Sequence, residues 1–198
     1  MTFSKKKTAL VAAAAFLLSG SQFGGYLEAK NNIETVKVIK EEIELIQTKL
    51  TLGEGFSPEE QKVLEFFQGK GITDKTALAV LLGNIKQESL FKANICEGGA
   101  RVNYESCHRG GYGLIQWTTV GRYDGLGRHA RAIGGNPSTL DTQLSYLVTE
   151  VEWKKVEGRF KTPGKSVEYY MNAAYRWLGW GIHGNRTHYS YQYLKALT

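Results

Sequence analysis

From Ser57 onward the apolar residues of this chain recur every three or four positions, and the runs are bracketed by residues that start or stop helices. Leu78, Leu81, Leu82 and Ile85 form one stripe; Leu140, Leu144, Leu147 and Val151 form another. Ser57, Pro58 and Glu60 read as a capping box with proline at the first helical position, opening a helix that ends at Gly71. Thr73 or Asp74 caps the next, TDKTALAVLLGNIKQES, and a helix around 120–133 stops at GGNP. Ser138 with Asp141 starts another, and SVEYYMNAAYRWLGW and THYSYQYLKAL close the series. Within the Gly-rich stretch 92–119, RVNYES is the best candidate for a short strand. The pattern predicts a mainly α domain over 57–198 with a small β-hairpin or loop region.

Two segments precede this domain. In residues 1–29, three lysines stand before an uncharged run whose strongly apolar part, about Ala9 to Leu18, has the length of a signal-peptide core. A cleaved signal and a retained weak membrane anchor both fit. In residues 30–56, Val36, Ile39, Ile43, Ile46 and Leu50 make an a/d seam of about two heptads, which predicts an amphipathic helix serving as a packing element, a spacer or a self-association surface. GEGFS at 53–57 breaks that pattern.

The chain carries a net charge of +6, and 18 Lys and Arg against 13 Asp and Glu lie from Ser57 onward. A modest excess of this kind suits a polyanionic partner such as an acidic wall polymer, a membrane face or nucleic acid. No RNP, zinc-finger or basic-helix signature favours nucleic acid. Cys96 and Cys107 read either as a disulfide pinning the Gly-rich loop or as two separate thiols; an exported protein favours the bridge. His183 and His188 are five apart and split across a helix, and His108 beside Cys107 is an incomplete zinc set, so no metal site is expected.

The chemistry concentrates at LLGNIKQES. Glu88 continues the apolar face of its helix, where burial and the negative end of the helix dipole both raise a carboxyl's pKa. A carboxyl that keeps its proton near neutrality can protonate the bridging oxygen of a glycoside. A glutamate neutralised by a lysine or arginine is the structural alternative. Downstream, RGGYGLIQWT places three glycines around Tyr112, then Gln116 and Trp117, offering an amide for sugar hydroxyl or N-acetyl groups and flat rings for sugar faces.

A helix ending in Glu-Ser, an insert, and then GYGLIQW resembles the lysozyme-like superfamily, which includes goose-type lysozymes and lytic transglycosylases. The closer resemblance is to the phage tail lysozyme family, over LGNIKQES, GGYGLIQWT, Arg122, Ser138 to Leu147 and YYMNAAYRWLGWG…NR, about residues 57–197. The resemblance implies a helical lysozyme-like fold, no metal or other cofactor, and cleavage of the MurNAc–GlcNAc bond of peptidoglycan. It places Glu88 as general acid and Ser89, Tyr112, Gln116 and Trp117 on the cleft. It also implies an enzyme exported to the wall, held at the host membrane, or carried in the virion among other phage proteins. For a second carboxylate the candidates are Glu105, the first choice, then Glu97 and Asp124. Arg122 and Arg186 are expected in internal ion pairs, and the late aromatics mostly in the core with one or two at the cleft.

Overall fold

A computed structural model describes residues 33–38, 49–108 and 110–198 and divides the chain into two units, Met1–Lys49 and Leu50–Thr198. In the first unit residues 33–38 are helical, with Val36 half-buried. The hydrophobic segment of residues 1–29 and most of the expected seam helix lie outside the described residues. Among the described residues no helix is long and apolar enough to cross a membrane.

The second unit is helical. Its elements are α1 (Pro58–Gly69), α2 (Lys75–Ser89), a 3₁₀ turn at Tyr104–Ser106, α3 (Val120–Ala132), α4 (Leu140–Leu147), α5 (Val151–Lys154), α6 (Glu157–Phe160), α7 (Val167–Leu178) and α8 (Arg186–Ala196). The capping box forms as read: Ser57 Oγ accepts from the Glu60 backbone N–H at 3.2 Å, and the Glu60 carboxylate accepts from the Ser57 N–H at 2.7 Å. Asp74, rather than Thr73, caps α2.

Five successive residues of α2, Leu78 to Leu82, are wholly buried. Five positions sweep more than one turn, so α2 is enclosed on all sides and forms the axis of the domain. Its tightest neighbour is α8. A Cβ on Gly83 would stand 2.5 Å from the Ser190 backbone nitrogen, so only glycine admits this crossing. Gly83 faces Ser190 and Glu88 faces Arg186, so the two helices run antiparallel. The same core takes in the packed rings of Trp153, Phe160, Tyr170 and Trp177 from α5, α6 and α7.

Two expectations change. RVNYES is not a strand: Arg101 makes one isolated bridge with Ile95, and Tyr104–Ser106 coils into the 3₁₀ turn. The Gly-rich loop is held instead by isolated bridges at Cys96–Tyr112 and Tyr112–Trp117, by the Cys96–Cys107 disulfide, and by Ser138 Oγ accepting from the Tyr104 N–H at 2.8 Å. The stripe through Val151 also breaks. Thr139, not Ser138, is the N-cap of α4, which stops at Leu147, and the exposed Val151 opens a separate short helix. The break sends Glu150 inward, and that matters for the site.

Candidate active site

The last turn of α2 ends with Gln87, Glu88 and Ser89, and each is engaged by a different element. Gln87 Oε1 accepts from the Asn185 N–H at 2.8 Å, supporting the start of α8. Ser89 is buried, and its hydroxyl donates to the Leu114 carbonyl at 2.7 Å, tying α2 to the loop of residues 110–117. Glu88 Oε1 meets Arg186 Nη2 at 2.7 Å, with side-chain exposures of only 13% and 5%.

Burial raises the Glu88 carboxyl above its ordinary value, while the charge and hydrogen bond of Arg186 and the more distant charge of Arg122 pull against that rise without cancelling it. For Arg186 burial acts in the corresponding sense, lowering its pKa, with Glu88 opposing. Desolvation therefore disfavours charge on both partners, and the carboxyl holds its proton to a higher pH than an exposed glutamate does.

The surroundings of Arg186 complete the electrostatics. Its guanidinium lies 4.5 Å from the centre of the Trp180 ring, and Nη1 donates to the Asn84 carbonyl at 3.2 Å. Arg186 Nε and Asn84 Oδ1 are both buried and have no hydrogen-bond partner among the described residues. Arg122 is clamped in a two-point pair with the buried Glu150, at 2.7 and 2.9 Å. Both arginines make the internal ion pairs expected of them.

The glycine loop is a positioned element. Gly113 has φ of +73°, and a Cβ there would fall 2.5 Å from the Gln143 amide. Gln143, fully buried, accepts from the Leu114 N–H at 2.7 Å and donates to the carbonyls of Ala93 and Pro137, both at 2.7 Å. One amide thus holds three backbone segments. Three non-glycine residues among those described have positive φ: Leu90, Phe91 and Gln116. All lie in the two segments joined by the Ser89–Leu114 bond, and such strained backbone persists only where its surroundings enforce it.

The expected cleft residues separate into two groups. Ser89 and Gln116 lie in these two segments, although the Gln116 amide donates back to the Gly113 carbonyl at 2.9 Å. Tyr112 and Trp117 are fully buried, so their rings build the loop's core and present no face to a ligand. The half-buried aromatic near Glu88 is Trp180, packed edge-on against the exposed Tyr175. Glu105 is exposed in the 3₁₀ turn, where its charge acts on Tyr104, Tyr112 and Tyr123. Glu97 is exposed too, and its carboxylate accepts from the Gly111 N–H at 2.8 Å, latching the loop. Asp124 is exposed on α3. The charged neighbours of Glu88 are the two arginines.

A largely buried helix-terminal glutamate is thus followed by a serine bonded to a Gly-Leu-Ile-Gln loop. The model of the phage tail lysozyme family matches residues 58–186. The chain belongs to the phage tail lysozyme family. At the level of that family it is a lysozyme-like peptidoglycan hydrolase, and the match ends at Arg186, the partner of Glu88. Among curated proteins and among solved structures, none matches the chain. The sequence does not single out Asn84, Gln143 and Glu150, which bond Arg186, Leu114 and Arg122 around this cluster. A polar residue within an apolar run, as Asn84 is between Leu82 and Ile85 on α2, was the available signal.

Proposed function

We propose that Glu88 is the general acid that cleaves the MurNAc–GlcNAc β-1,4 bond of peptidoglycan. The observation that carries this reading is a carboxyl at once largely dry and raised in pKa, at the end of the helix bonded to the glycine loop. In the proposed step the Glu88 proton passes to the bridging oxygen and the bond from that oxygen to C1 breaks. Water adds at C1 and gives up a proton, leaving a new reducing end. The exposed Tyr175, and the face of the half-buried Trp180 that Arg186 leaves uncovered, are the proposed ring surfaces for sugar in place of the buried Tyr112 and Trp117.

Glu105 is the proposed second carboxylate for activating that water. One observation favours a different ending: among the described residues the charges that act on Glu88 are those of Arg186 and Arg122, with no acid beside them. A lytic transglycosylase needs only one acid, because the sugar's own hydroxyl attacks C1 and closes a 1,6-anhydro ring. Product analysis on purified peptidoglycan separates the two. Reducing ends that disappear in Glu105→Gln support hydrolysis through Glu105; anhydro ends that survive in that variant support ring closure. Glu88→Gln should abolish muropeptide release in either case while the protein stays folded, and full activity of that variant would overturn the assignment. A wall-binding or virion protein that bears the fold without catalysis would pull down sacculi and never clear them.

The proposal extends to place. An export signal or weak anchor ahead of a lysozyme domain fits an enzyme exported to the wall or held at the membrane of the infected host; a virion component is the other fit. Mass spectrometry of virions and host membranes distinguishes these and reads the N-terminus directly.

A further inference from the structure

At the end of α2, Glu88 pairs with Arg186 of α8, while Lys86 lies over the Tyr189 and Tyr193 rings of α8 and reaches Glu60 of α1 at 3.5 Å. On the α1 side of the α2 terminus lies a groove of about 480 Å³, lined by the start of α1, the segment after α2, Arg101 and the start of α4. Its volume is within the roughly 300–1,000 Å³ range of small-ligand sites.

The charges in it are uncommitted. Among the described residues Glu59, Lys92 and Arg101 have no ion-pair partner, although all three line the groove. Arg101 Nε donates to Asn94 Oδ1 at 2.5 Å, which fixes the guanidinium, and its four terminal N–H groups have no partner among the described residues. A planar guanidinium held this way suits a carboxylate better than a neutral hydroxyl. The one aromatic in the lining, Phe91, is buried edge-on against Tyr193 and gives no face for stacking a sugar. The groove therefore offers two cations, one anion and amide or hydroxyl groups from Asn94 and Ser138.

We infer that this groove is a second, non-catalytic site that binds a short peptide bearing free carboxylates and a free amine, the chemistry of the peptide branches of peptidoglycan. The carboxylates pair with Lys92 and Arg101, and the amine pairs with Glu59. The inference rests on the family's substrate and not on the role given to Glu88. It also gives Gln143 a second meaning, since its amide holds both the Ala93 and Pro137 carbonyls behind the groove and the Leu114 N–H of the glycine loop.

The test is a titration of the full chain, followed by backbone amide NMR, with synthetic L-alanyl-γ-D-glutamyl-L-lysyl-D-alanine and, separately, with a GlcNAc tetramer. The peptide should shift the signals of Lys92, Asn94 and Arg101, and the tetramer should leave them in place. Replacing Lys92 and Arg101 together by alanine should weaken the peptide about tenfold, the loss of two exposed charge contacts. Glu88→Gln should bind the peptide as the native chain does, so a failure of the catalytic reading is visible separately. Three results would each overturn the inference: no shift with peptide, the same shifts with the tetramer, or undiminished binding by a folded double variant.

Discussion

Arg186 Nη2 lies 2.7 Å from Glu88 Oε1, and burial works against the charge on both groups. This opposition is the property a proton donor needs. An exposed pair would leave the carboxylate ionised; an unpaired buried glutamate would hold its proton too firmly to release it.

The first prediction concerns pH. With Glu88 as the proposed general acid, activity should fall as pH rises through the raised pKa of its carboxyl. Arg186 lowers that pKa, so Arg186→Ala should move the fall to higher pH, and Arg186→Lys, which keeps the charge, should move it less. Arg186→Ala should also cost about 3 kcal/mol of stability at neutral pH, the usual loss on breaking a buried pair. Rate against pH and urea unfolding check the two effects.

Gly83 sets the distance between α2 and α8. Gly83→Ala places a methyl 2.5 Å from the Ser190 backbone, which no side-chain rotation relieves. Overpacking of this kind costs about 1–3 kcal/mol. Because the same crossing brings Arg186 to Glu88, the activity lost should exceed what the unfolded fraction explains, and kinetics at a temperature where the variant is fully folded would show it.

Gln143→Ala removes three hydrogen bonds to buried or half-buried backbone groups. Unsatisfied buried groups cost about 1–3 kcal/mol each, with partial relief from water. The expected result is a fall in thermal midpoint with faster amide exchange at Leu114. Gln143→Glu keeps the acceptor for Leu114 but sets a buried carboxylate against the Ala93 and Pro137 carbonyls, and should lower the midpoint at least as far as Gln143→Ala.

The Cys96–Cys107 bridge closes a loop of sequence separation 11, worth about 3 kcal/mol in the chain-entropy picture. Reductant, or replacement of both cysteines by serine, should lower the thermal midpoint, and exchange protection should drop first around Tyr104 to Tyr112.

Glu60 gives an acid limb to stability. Burial alone would raise its carboxyl, but the Tyr193 hydroxyl, the Ser57 N–H, Lys86 and the Ser57 hydroxyl together hold it below the ordinary value. A depressed folded-state pKa stabilises the protein above the unfolded value of about 4.3, and that contribution is lost as pH falls through the folded one. Glu60→Gln should flatten the acid side of a stability profile measured by urea midpoint.

The helices were legible because each is declared locally. The Ser57 capping box, the Asp74 cap and the run from Leu78 to Ile85 depend on neighbours three or four residues away, a distance the sequence displays. Ser89 and the glycine loop were legible as an ordered pair of motifs, and Glu88 as a carboxyl on an apolar face. The strand at RVNYES and the long stripe through Val151 were misread because loop closure and a break at Glu150 are settled by distant partners, Ser138 for Tyr104 and Arg122 for Glu150. The same applies to the rings. Tyr112 and Trp117 looked like sugar platforms, yet which side of a glycine turn faces water depends on what packs behind it, and there Tyr146 and Ser138 close over them.

The sequence by itself determined where this chain turns into helix and which carboxyl would sit on an apolar face, because capping and periodicity act over one or two turns. Only the tertiary structure decided that Arg186, 98 residues further on, faces that carboxyl and that Trp180 stacks on the guanidinium. Those contacts arise from two helices crossing at a glycine, and a close approach between distant segments leaves no periodic trace in either of them.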